Sequence, residues 1–255
     1  MNLTPLPMDS QSVGVLHSRL GEDVAIYHPL GYRFETLVNN GLVDAVIVDS
    51  VDGFSQLGRW RDFLSGDLGL DQRNLAQYWL DGCPEKLERN ISSLADWNCM
   101  REEVTLVAIP SGNAQGHLKG LILVPDIDSK CYCKFPSPLR KSAIHRDFIY
   151  NVTYEAISHA YHEWGARRIG ITHLSRSKCN GQYEYALTMC QVEVMFHFCA
   201  EHRGMESFAF LDCTEGNIPL RLVDYYNSKA DIGCHRPIKT KRLEYWGIDF
   251  IDLTW

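Results

Sequence analysis

Short apolar runs recur along the chain. Most are rich in β-branched residues, the pattern of strands in a pleated sheet. Val13–Leu16 and Asp23–Tyr27 make the first pair, with Gly21 between them. Val43–Asp49 reads V-D-A-V-I-V-D, nearly continuous in Val and Ile, as a strand buried on both faces should be. Val104–Ile109, Gly120–Val124, Arg168–Leu174 and Phe208–Cys213 follow, and Tyr245–Leu253 is a final candidate.

Between these runs the apolar spacing changes to three and four. Ile149, Val152, Ala156, Ala160 and Trp164 make one face of a helix over 149–164. Tyr183, Leu187, Cys190, Val194 and Phe198 do the same over 183–202. Such stripes must pack on another element. His202 and Arg203 suit the negative end of the second helix, and Gly204 suits its stop. Shorter helices are expected at Phe34–Asn40 (stopped by Asn39-Asn40-Gly41), Asp71–Leu80, Pro84–Trp97 and Ile218–Tyr226. Strand, twenty-residue helix, strand is the signature of a right-handed crossover in a parallel sheet. The expected fold is therefore α/β: a mixed, largely parallel sheet flanked by helices. The proline-containing stretch Asp126–Leu139 reads as a loop. With strands on both sides of it free to share one sheet, 1–255 reads as a single domain. An insertion occupies roughly 53–98 and a C-terminal extension roughly 214–255.

Composition narrows the partners. The 255 residues are 45% apolar and 22% charged, with a net charge of -7, ordinary for a chain that buries a core. Nucleic acid is not the expected partner, because phosphate neutralisation needs a basic face. Here Lys and Arg are scattered. No run of about 18 apolar residues predicts a membrane span, and Met1–Gly14 lacks the basic and apolar regions of a signal peptide. A cytoplasmic protein is expected, with its nine cysteines as reduced thiols. No C-x-x-C pair suggests zinc, and no metal or cofactor is assigned.

Three segments resemble the macrodomain family, the ADP-ribose-binding α/β sandwich. Val43-Asp44-Ala45-Val46-Ile47-Val48 looks like its early V-D-A-I-V-N strand. Gly116–Val124 is similar to its G-x-L-x-x-x-x-I-x-x-V segment. Arg168–Leu174, after a long helix, looks like the strand that feeds its phosphate loop. The resemblance spans roughly Val43 to Cys213 in layout. It implies a three-layer sandwich and a nucleotide or phosphosugar ligand. The chain departs from the family at both ligand loops. Val48-Asp49-Ser50-Val51 stands where the family has asparagines, and Asp52-Gly53-Phe54-Ser55 with a long insertion replaces the glycine-rich first loop.

Two loops carry the candidate site. Ser175, Arg176, Ser177, Lys178, Cys179, Asn180 and Gly181 lie between a strand end and a helix start. Ligands of open α/β sheets bind at that edge, and a helix N-terminus with two cations favours phosphate. An ordinary solvated connection explains the same residues. Asp49, Ser50, Asp52 and Gly53 follow the best strand and are expected at the nucleoside end; the two acids serve equally as cap and turn residues. Ser111–His117 is a third loop after a strand, read as a hairpin connection.

Catalysis is left open. Asp49, Asp52 and Cys179 with His173 as its base are the candidates, since a thiol nucleophile needs a nearby base and a helix N-terminus lowers its pKa. Glu155, His159 and His162 share a helix with metal-ligand types, but lack the H-E-x-x-H spacing and read more simply as packed or solvated side chains. Cys190 and Cys199 read as core. The sequence thus points first to a nucleotide or nucleotide-sugar (ADP-ribose-like) binding module, with hydrolysis open. A scaffold protein that uses the aromatic insertion (Trp60, Tyr78, Trp79, Trp97) as a contact surface is the alternative. A thiol- or metal-dependent hydrolase is the third reading.

Overall fold

A computed structural model describes residues 13–28, 41–49, 102–111, 117–124, 138–174, 184–211, 218–231 and 246–252. Among the described residues eight strands form one sheet. They are β1 (Val13–His17), β2 (Asp23–Tyr27), β3 (Ala45–Asp49), β4 (Glu102–Pro110), β5 (Gly120–Val124), β6 (Arg168–Ile171), β7 (Ser207–Phe210) and β8 (Trp246–Asp252). The described helices are α1 (Pro138–His162), α2 (Glu184–Glu201) and α3 (Ile218–Asp231). The spatial order is β1-β2-β7-β6-β3-β5-β4-β8. From β2 to β5 the five neighbours run parallel. β1 joins β2 antiparallel, and β4 joins β5 antiparallel. β8 runs parallel to β4 along seven paired positions, from Glu102↔Trp246 to Ala108↔Asp252. The result is the mixed, largely parallel α/β sheet that the alternating strand and helix patterns predict.

Period-two alternation sorts the central strands onto two faces. Ala45, Ile47, Ile122, Val124, Ile169, Ile171, Phe208 and Phe210 join one cluster with Val152, Ala156, Val194 and Phe198 of α1 and α2. Their neighbours Val46, Val48, Leu121, Leu123 and Ala209 are buried as well. Both faces of the sheet are thus out of water, which explains the unbroken apolar runs.

Helices α1 and α2 run side by side in the same direction and are joined by a polar ladder. Arg146 Nη2 donates to Glu193 Oε2 at 2.8 Å. The Tyr150 hydroxyl meets His197 Nδ1 at 2.6 Å. The Tyr154 hydroxyl donates to Glu201 Oε2 at 2.5 Å. Each rung spans 47 residues and the rungs are four apart on both helices, one helical turn per step. Below the ladder, the Arg167 guanidinium lies 3.8 Å over the Tyr161 ring, and the Tyr161 hydroxyl donates to the Arg203 carbonyl.

Helix α1 closes with Gly165 at φ +63°, while Ala166 N–H donates back to Ala160 O. That seven-residue return closes the helix past a left-handed residue, a conformation that glycine adopts without strain. The hairpin β1–β2 clamps the end of α2: the Ser18 hydroxyl donates to Cys199 O, and Gly204 N–H donates to Glu22 Oε2 at 2.8 Å.

Several element bounds differ from expectation. Helix α1 begins at Pro138, well before the expected 149, so the proline-containing loop is shorter. Pro138 fits a first turn because no intrahelical N–H is required there. The strands expected to reach Leu174 and Cys213 end at Ile171 and Phe210, and α3 continues to Asp231. The expected C-terminal extension includes β8, which continues the sheet beyond β4. The pairing of β4 with β5 makes Ser111–His117 the expected hairpin connection. The helices expected at 34–40, 71–80 and 84–97, and the aromatic insertion, lie outside the described residues. Among the described helices none is long and apolar enough to cross a membrane.

Candidate functional site

The parallel strands point their C-terminal ends to one edge of the sheet. Tyr27, Phe210, Ile171, Asp49 and Val124 end there in spatial order. Strands β3 and β6 are direct neighbours, paired Ala45↔Ile169, Val46↔Gly170 and Ile47↔Ile171. The chain therefore leaves these two strands side by side.

A layer of buried polar groups lies at that edge. Thr172 and His173 follow β6, His28 follows β2, and Thr188 and Gln191 come from α2; all five are buried. Thr172 N–H extends the ladder by one bond to Ile47 O at 3.0 Å, and Leu211 N–H does so to Ile171 O. The His173 ring lies tilted on Phe210, with centroids 5.5 Å apart. Gln191 Nε2 donates to Thr172 O at 2.9 Å. That carbonyl can only accept, so it fixes which way the carboxamide faces. Gln191 Oε1 is then buried with no donor among the described residues. Polar groups at this depth cost stability unless they are satisfied, and they concentrate here rather than in the apolar core beneath.

Among the expected site residues, Asp49 is the last residue of β3, at the edge and in register with Val124. His173 sits at the edge as expected and is buried. Ser50, Asp52, Gly53 and the whole loop Ser175, Arg176, Ser177, Lys178, Cys179, Asn180 and Gly181 lie outside the described residues. The pairing of His173 with Cys179 therefore falls there too. Gln191, Thr188 and His28 were not singled out from sequence. Gln191 had a signal: with Glu193 it interrupts the apolar run Cys190–Phe198, and a polar residue on a helix apolar all round is a buried polar residue.

The histidines of α1 diverge. The His159 ring stacks on Phe250 at 4.2 Å and meets the Trp164 edge. His162 faces Tyr161 and His202. Among the described residues no group of three His, Cys, Asp or Glu side chains could hold a metal ion. Cys190 and Cys199 are buried thiols outside any disulfide. Burial, reinforced by Glu22, pushes the Cys199 thiol up to about 12, so it stays protonated and unreactive, as a core thiol should.

The opposite edge is built for structure. The buried Asp44 carboxylate accepts Arg168 N–H at 2.9 Å and Arg167 N–H at 3.2 Å. Arg168 Nε lies 3.5 Å and Lys119 Nζ 3.8 Å from its Oδ2. Asp44 thus ties the start of β3 to the start of β6, away from the candidate site.

The chain matches no family model and no curated protein.

Proposed function

We propose that the protein binds a nucleotide or nucleotide-sugar of the ADP-ribose type at the C-terminal edge of its parallel strands. The observation that carries this reading is the direct pairing of β3 with β6. It sets the C-terminal ends of these two strands side by side, and a two-ended ligand would span the segments that follow them. Arg176 and Lys178 supply charge for phosphate, and Asp49, Ser50, Asp52 and Gly53 supply polar groups for the nucleoside end. The buried polar layer of Thr172, His173 and Gln191 lies at the same edge of the sheet. The resemblance to macrodomains supports the same ligand class.

A thermal-shift series with ADP-ribose, NAD, nucleotides and phosphosugars tests the reading. A ligand held only by the folded state stabilises it by about 2.7 kcal/mol at a hundredfold excess over its Kd. The expected result is a shift with ADP-ribose that is lost in the charge reversal Arg176→Glu/Lys178→Glu. An absent shift with every compound overturns the proposal. A shift that survives the charge reversal overturns the phosphate-loop assignment.

A further inference from the structure

Among the described residues β1 is an outermost strand of the sheet. An edge strand offers N–H and C=O groups to any passing strand, and proteins blunt this with Lys, Pro or a bulge. The sequence of β1, V-G-V-L-H, has none of these. Its only titratable group, His17, pairs with Asp23 on β2 at 2.8 Å. The Val15 side chain is 41% exposed, one of two large exposed apolar side chains among the described residues. By composition this is an adhesive edge.

One side chain of α3 sits on it. Asn227 Nδ2 donates to Val15 O at 2.6 Å, and Asn227 Oδ1 accepts from His17 N–H at 3.1 Å. Val15 and His17 are alternate residues, so their backbone groups face the same way, away from β2. A carbonyl at one residue and an N–H two residues on are the pair that one residue of a parallel neighbour engages, and an antiparallel neighbour needs the same groups. The Asn carboxamide has the donor and acceptor of a peptide group. It is held in place because α3 packs on β1, with Leu220 Cδ2 at 3.0 Å from where a Cβ of Gly14 would stand.

We propose that Asn227 is a latch on the sheet edge: its carboxamide stands in for a ninth strand and keeps β1 from pairing with β1 of a second copy of this chain. A second copy is the fitting occupant because identical edges meet antiparallel about a twofold axis and bury both Val15 side chains together. The proposal is independent of the ligand reading.

Amide exchange and sedimentation velocity of Asn227→Leu test it. The isosteric leucine keeps the packing and removes both bonds. His17 N–H is expected to exchange about tenfold faster, and self-association is expected to strengthen over wild type. Adding Val15→Lys to that variant is expected to reverse the association, because a charge on the edge repels its twin. Asn227→Ala, which removes both bonds without adding charge or bulk, serves if the leucine variant does not fold. It is expected to associate more than wild type, with His17 N–H exchanging faster. Unchanged self-association in the folded variant overturns the latch. So does association that Val15→Lys leaves intact, because its source is then not the β1 edge.

Discussion

Asp44 shows how one buried side chain fixes the spacing of two strands. Its oxygens receive the backbone N–H groups of Arg167 and Arg168, and a buried donor left without an acceptor costs about 1–3 kcal/mol. Asp44→Ala is expected to destabilise the protein by about 3 kcal/mol in urea unfolding, whereas Asp44→Asn, which keeps one acceptor, is expected to lose less. Gly120 is a second sensitive position. A Cβ there would lie 2.5 Å from the Trp164 ring, and an indole held in a packed site cannot swing aside. Gly120→Ala is expected to cost about 1–3 kcal/mol by overpacking, read as a lower Tm. Sequence marked Asp44 only as part of a strand motif. Its binding to Arg167 and Arg168 is a contact between segments more than a hundred residues apart by position, which no local pattern encodes.

Among the elements, the α1–α2 ladder is the feature with the clearest energetic consequence. Glu193 is buried and Arg146 is its ion-pair partner; removing one member of such a pair strands the other. Arg146→Met is expected to destabilise by about 3 kcal/mol, and the double variant Arg146→Met/Glu193→Gln is expected to recover much of the loss, in a double-mutant cycle of unfolding free energies. His197 of the ladder and His202 just beyond α2 carry a pH response. Burial lowers the pKa of His197, and burial together with His162 lowers that of His202. Both rings are favoured neutral in the folded state. Their contribution is full above the unfolded value near 6.5 and is lost as pH falls through their folded pKa values. Thermal stability is therefore expected to drop on acidification below about 6.5, and His197→Gln is expected to flatten part of that drop. Apolar spacing revealed the core-facing stripes of both helices, including Val152, Ala156, Val194 and Phe198. The first eleven residues of α1 were not legible, because Leu139-Arg140-Lys141-Ser142 presents a polar, basic start after two prolines. The ladder itself stayed hidden, since Arg146, Tyr150 and Tyr154 point to a neighbouring helix rather than to the sheet.

For the whole molecule, strand content and class were readable because a sheet buried on both faces writes itself as continuous Val and Ile runs. The order of the strands was not, apart from the crossover from β6 to β7 through α2. Which loops sit together depends on the β3–β6 pairing, a long-range choice made by packing. The candidate site was legible to the same degree: its edge and His173 followed from the pattern, while Gln191 and His28 emerged only when α2 and β2 were brought to that edge. The pairing of β4 with β8 has a consequence in time. Glu102 is synthesised long before Trp246, its eventual partner. During translation β4 has a neighbour on its β5 side alone, so the growing chain carries an open strand until β8 emerges. Non-local pairing of this kind is slow and leaves intermediates prone to aggregate. In pulse-labelled refolding, the amides shared by β4 and β8 are expected to gain protection last, after those of the five parallel strands. Protection of β4 and β8 that arrives with the rest would mean that the sheet closes in one cooperative step.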